Sequence, residues 1–127
     1  MNYSIQLMEE PKIVQVITTG EWEREVDNAM GLDIMRKMAE WKVNKALIDM
    51  RSLQFELRTI DIFQRAENLS EQRHEVKHST SKVALVYHPK DKQTDDDFIF
   101  FENTAQNRGL PYRVFKNMES ALEWLAD

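Results

Sequence analysis

Lys82-Val83-Ala84-Leu85-Val86-Tyr87 decides the fold. It is a continuous apolar run, as expected of a strand buried on both faces of a mostly parallel sheet. Upstream, Ile62, Phe63, Ala66 and Leu69 form one helical face, which places a helix at about 60–73 with Thr59 as its cap. Downstream, Thr94-Asp95-Asp96-Asp97 opens a second helix. Phe98, Phe101 and Ala105 form its inner face, and Gly109 stands where a left-handed C-terminal residue belongs.

The same pattern continues in both directions. Ala46-Leu47-Ile48-Asp49-Met50 reads as a strand. Met30, Ile34, Met38 and Trp41 recur at helical spacing and predict a helix over at least 28–41, capped by Asp27 or Asn28, with 21–27 irregular. Tyr3, Ile5 and Leu7 alternate with polar residues, and Ile13–Ile17 follow after a short break, which suggests a hairpin. Tyr112-Arg113-Val114-Phe115 is the last strand, and Asn117 caps a final helix. The order is β-β-α-β-α-β-α-β-α. It implies a single α/β domain over 1–127: a mixed sheet of about five strands, mostly parallel, with the first antiparallel at an edge, and about four helices. Ile48, Val83, Leu85, Ala105, Val114 and Leu122 are the expected core.

Composition narrows the function classes. The chain has 127 residues, 42% of them hydrophobic and 31% charged, with a net charge of −5 and no cysteine. The acidic balance argues against nucleic-acid binding. Thiolate metal sites and cysteine nucleophiles are excluded. No apolar run approaches the ~18 residues of a membrane span, and no signal peptide is recognisable. A cytoplasmic location is expected, with peripheral contact at the inner face of the membrane as its variant.

Three stretches carry a family resemblance: Ala46–Leu53, Phe100–Leu110, and Arg113-Val114-Phe115 followed by Ala121–Leu125. Together they resemble the STAS domains typified by SpoIIAA, and more closely the SpoIIAA-like branch related to the lipid-binding Sec14 domains. The resemblance implies a non-enzymatic regulatory or binding domain without cofactor, with a protein-interaction module of the anti-sigma-factor antagonist kind, switched by phosphorylation, as the alternative. In the sporulation antagonists a serine of an Asp-Ser-Ser-Gly turn at the start of the second helix accepts a phosphate. The corresponding turn here is Leu57-Arg58-Thr59-Ile60, without the Asp, the serines or the Gly, so Thr59 supplies the only hydroxyl there.

One string imitates a catalytic motif. His74-Glu75-Val76-Lys77-His78 fits the H-E-x-x-H pattern of zinc proteases. Its flanks are solvent-type, Lys77 sits inside it, and the only other histidine, His88, lies beyond a whole strand. A metal-dependent hydrolase is therefore the least favoured reading, and neither metal nor catalytic residues are assigned. Asp95–Asp97 read as acids complementing a helix N-terminus.

Ligands of open α/β sheets bind beyond the carboxyl ends of the strands. Two such ends bring Arg51, Arg58, Thr59, His88, Lys90 and Lys92 together as candidates for a small anionic or amphipathic, lipid-like ligand. Behind them, Phe98-Ile99-Phe100-Phe101 offers more apolar surface than one helix stripe buries, making Phe98, Ile99 and Phe100 candidates for an apolar ligand or a membrane. Cover by a protein partner or a homodimer mate is the alternative. The segment 88–101 is expected to act as a mobile lid.

Overall fold

Tyr3, Ile5 and Leu7 point to one side of β1 (Asn2–Glu9), which pairs antiparallel with β2 (Lys12–Glu21) and sets Ile5 beside Val16. The structure, a computed structural model, describes residues 1–54, 59–76 and 80–127, with Thr59 and Ile60 placed by backbone alone. The remaining elements are α1 (Arg24–Trp41), β3 (Lys45–Gln54), α2 (Thr59–Glu75), β4 (Lys82–Val86), α3 (Lys92–Asn107), β5 (Tyr112–Phe115) and α4 (Met118–Ala126). The five strands lie in the order β1-β2-β3-β4-β5, parallel from β2 onward.

That order fixes the layers. From β2 to β5 each crossover steps the same way, so right-handed connections put α1, α2 and α3 on one face. Their apolar stripes, led by Met30, Ile34 and Met38 of α1, Ala66 and Leu69 of α2, and Phe101 and Ala105 of α3, pack on Val14, Val16, Ile48, Val83 and Leu85. Only α4 covers the other face, where Ala121 and Leu125 meet Ile13, Leu47, Ala84 and Val86. The ammonium groups of Lys45 and Lys82 donate to the Leu125 and Trp124 carbonyls, at 2.6 and 2.7 Å, and hold the end of α4 against the sheet. The run that decides the fold is β4: Val83, Ala84, Leu85 and Val86 are all buried, because helices press on it from both sides.

Several expectations need correction. Helix α1 begins at Arg24, and its N-cap Glu23 makes no side-chain cap. Asp27 is buried inside the helix, where its carboxylate accepts from Arg65 Nε at 2.6 Å. Thr94 does not open α3. The helix starts two residues earlier, and Asp91 accepts from the Thr94 amide at 2.7 Å. The first turn of α3 therefore takes in Lys92 and Gln93. Val114 and Leu122 are half-buried because they lie toward the margins of the two layers, whereas Ile48, Val83, Leu85 and Ala105 are buried. Asn117 caps α4 as expected, accepting from Ser120 N at 2.8 Å, and Gly109 takes φ +73° after α3. The side chain of Thr59, and with it the cap assigned there, lies outside the described residues.

Candidate functional site

The carboxyl ends of the strands are uneven. β3 pairs with β4 only from Lys45 to Asp49, yet it stays paired with β2 as far as Gln54. Its last five residues thus stand clear of β4 and wall a depression of about 240 Å³. His88, Lys90 and Thr94 form the opposite wall. Because the strand order never reverses, no topological switch point opens a crevice here. The depression exists because one strand outruns its neighbour.

Arg51, His88 and Lys90 come together around it as the sequence suggests. Arg51 is already engaged: its Nε and Nη2 donate to the two Asp49 oxygens at 2.9 and 2.8 Å, and its backbone N–H donates to Oδ1 at 3.1 Å. These bonds from Arg51 hold the Asp49 carboxyl below its ordinary range, outweighing the opposite effect of burial. His88 and Lys90 are exposed and form no ion pair among the described residues. Lys92, in the first turn of α3, does not line the depression. Arg58 lies outside the described residues. Thr59 opens α2, and nothing more of it is described.

A second concavity lies between the sheet and the three-helix layer. Met30, Met50, Ile62, Leu85, Phe98 and Phe101 supply much of its apolar wall. The buried Asp27–Arg65 pair and Asp61, which Arg24 meets, supply polar edges. Its cavity volume is about 60 Å³, room for a few water-sized molecules and far short of an acyl chain. Phe98 faces this interior, stacked on Tyr87 with centroids 4.1 Å apart, so it is no surface for a membrane. Phe100 is half-buried against the main core, and Ile99 alone of the three is exposed, at 48%.

The Tyr87 hydroxyl donates to Asp95 at 2.8 Å, and Lys116 approaches the same carboxylate at 3.5 Å. Burial pushes the Tyr87 phenol well above its ordinary range, and the Asp95 bond and the charges of Asp95 and Glu102 add to the effect. His74 and Glu75 occupy the exposed last turn of α2, with Glu75 3.6 Å from Arg36, while His78 lies outside the described residues. Among the described residues no three metal-binding side chains converge, and no helix is long and apolar enough to cross a membrane.

Sequence reading missed the overhang of β3. Asp49-Met50-Arg51-Ser52-Leu53-Gln54 does not keep the strand period, its apolar residues Met50 and Leu53 standing three apart, because the pairing with β2 shifts register between Ile17 and Thr19 and takes in an extra residue of β3 there. Sequence reading also missed the polar seam between α1 and α2. There Arg24 meets Asp61, Asp27 meets Arg65, and the Asn68 amide donates to Asn28 Oδ1 at 2.9 Å.

No family model matches the chain, and neither does any curated protein. Solved structures do. An uncharacterised DUF3478-family protein from Shewanella loihica with a SpoIIAA-like fold shares 16% identity. The match covers 98% of this chain and 92% of that one, with a TM-score of 0.58. The anti-sigma factor antagonist SpoIIAA in its unphosphorylated form shares 12% identity over 98% of this chain and 96% of its own, with a TM-score of 0.55. The chain has a SpoIIAA-like, STAS-type fold.

Proposed function

We propose that this chain is a regulatory protein-interaction module that acts by docking rather than by catalysis. The observation that supports the reading best is the likeness to an anti-sigma factor antagonist, which runs through nearly the whole of both chains. The chemistry of the interior agrees with it. Asp27, Arg65, Asp61 and Arg24 pair with one another across α1 and α2, so these groups serve packing. The docking surface in this reading is the uneven strand end: Arg51, His88 and Lys90, with Lys92 in the first turn of α3 and Thr59 opening α2; Arg58, which precedes Thr59 in the sequence, is the further basic candidate. Thr59 holds the place where the resemblance expects a phosphate acceptor, and a phosphate there would add negative charge at a helix N-terminus.

The test is capture of a partner from the source cells, followed by reconstitution from purified components with the parent, Thr59→Ser and Thr59→Glu. A partner that binds the parent and Thr59→Ser alike, and Thr59→Glu about ten-fold more weakly, supports a phosphorylation switch. Equal binding by all three removes the switch. Failure to reconstitute any complex removes the interaction reading itself.

A second reading rests on the depression at the strand ends, which three basic residues line and no carboxylate does. It is a site for a small anionic or amphipathic ligand, with Ile99 and the exposed part of Phe100 turned to a membrane surface. Flotation with anionic vesicles tests it. The parent should float, and Ile99→Ser and Phe100→Ser should float less. A parent that stays in solution removes the membrane part.

A further inference from the structure

We infer that the outer edge of β1 is an interface between two copies of this chain, which join there about a two-fold axis into one continuous sheet. The inference does not depend on the docking surface at the strand ends. The two margins of the sheet are built differently. β5 is four residues long, and α3 seals its outward backbone groups: Glu102 accepts from Val114 N–H at 2.6 Å, and Gln106 Nε2 donates to the Tyr112 carbonyl at 3.2 Å. β1 is eight residues long and has no such seal among the described residues. Which of its groups turn outward follows from the turn that ends it. Glu9 pairs with Lys12 across Glu10-Pro11, and proline has no N–H, so this closing pair exchanges both of its backbone bonds. The register runs unbroken from there to Asn2 and Thr19, so Leu7, Ile5 and Tyr3 turn their backbone toward β2 as well. Asn2, Ser4, Gln6 and Met8 therefore turn their N–H and C=O outward, and nothing meets these groups among the described residues.

Native sheets blunt a free edge with proline, lysine, a bulge or a covering element. From Asn2 to Met8, β1 has neither proline nor charge, and its ladder to β2 has no bulge. The side chains select the occupant. An antiparallel partner must bring apolar side chains to the face of Tyr3, Ile5 and Leu7, which pack half-buried on the core. It must bring uncharged ones to the other face, where Asn2, Ser4 and Gln6 are exposed. A second β1 meets both demands. A two-fold axis through Ile5, normal to the sheet, sets Ile5 beside Ile5 and Tyr3 beside Leu7 of the second copy on the helix side. On the other side it sets Ser4 beside Gln6 and Asn2 beside Met8. These are the outward-turned residues, and each such pair exchanges two backbone bonds, about eight in all. Only this position of the axis pairs all four of them, since an axis at Gln6 would set Asn2 against Glu10 of the turn. Glu9, the one charged residue of the strand, falls outside the ladder. The contact is isologous, the same patch on both copies, as closed dimers require.

The experiment measures the mass of the 15.1 kDa chain in solution by sedimentation, with amide hydrogen exchange alongside. Each copy carries −5, so it is run at physiological ionic strength, where repulsion beyond about 8 Å is screened. The variants are Ser4→Lys/Gln6→Lys and Ser4→Glu/Gln6→Glu, both changed only at exposed side chains. The parent should sediment as a dimer. Its Ser4, Gln6 and Met8 amides should exchange about ten-fold or more slowly than in either variant. In each variant alone, like charges stand opposite one another across the axis and should leave it monomeric. Mixed in equal amounts the two variants should pair, because each lysine then meets a glutamate. The Ile5 and Leu7 amides, which turn toward β2, should stay protected throughout and report that the fold is intact. A parent that stays monomeric at millimolar concentration overturns the inference. So does a dimer whose Ser4, Gln6 and Met8 amides exchange freely, and so do folded variants that fail to pair when mixed.

Discussion

A Cβ on Gly31 would stand 2.7 Å from Gln72 Oε1 and 2.8 and 2.9 Å from the terminal nitrogens of Arg65. Both side chains are tethered, Arg65 through Nε to Asp27 and Gln72 through Nε2 to the Asn28 carbonyl at 2.8 Å. From sequence alone Gly31 is a weak point in α1, costing ~1 kcal/mol relative to alanine. In the structure it is the gap that lets the polar seam close. We predict that Gly31→Ala loses stability on balance, because overpacking at ~1–3 kcal/mol exceeds the helical gain. Chemical denaturation decides the sign, and a stabilised variant would sink the idea. The seam itself was not legible, because Asp27 and Arg65 lie far apart in the chain and their pairing depends on how two helices dock. Arg51, His88 and Lys90 were legible as neighbours, since they flank the ends of adjacent strands. That Asp49 already occupies Arg51 was not, because it depends on a side chain folding back along its own strand.

Helix existence followed from apolar spacing, but helix starts did not. Asp27 and Asn28, like Thr94, are residues that cap well, and each sits inside a helix because an earlier residue took the turn. For α3 that residue is Asp91. Its carboxyl is held below its ordinary range chiefly by the Thr94 amide that donates to it. Asp91→Ala should lower the thermal midpoint, while Asp91→Asn, which keeps an acceptor, should largely preserve it. Matching midpoints for the two variants would show that the cap adds nothing. Helix α1 ends differently, on Lys42 in the left-handed region at φ 56°, with Val43 N–H donating to the Met38 carbonyl at 2.9 Å. A side chain strains this position and glycine does not. Lys42→Gly should therefore stabilise by about 0.5–1 kcal/mol, net of the flexibility it adds to the unfolded chain. A drop in the denaturation midpoint would contradict the strain argument.

All three tyrosines of the chain titrate above their ordinary range, each chiefly through burial. For Tyr3 the bond to Asp33 adds to this, and for Tyr112 the charge of Asp27 adds while that of Arg65 opposes. The folded state thus favours the neutral phenols. Their contribution is whole below the unfolded value of about 10 and is lost as pH rises beyond it, because the unfolded chain gives up its phenolic protons first. Stability should fall above about pH 10, and Tyr87→Phe should flatten the slope. Tyrosinate absorbance appearing near pH 10 in a chain that is still folded would contradict this. At this scale the architecture was largely legible, because a β-α alternation with right-handed crossovers leaves few topologies open. The overhang of β3 was not, since it is a relation between two strands and neither shows it alone. The unreversed strand order also bears on how the chain assembles. Each new strand docks beside the one made just before it, so a nascent chain leaving the ribosome can lay down the sheet from one edge without waiting for a distant partner. At every intermediate length one fresh strand edge faces the solvent, and the short β5 covers that of β4 and leaves only its own four-residue edge on that side.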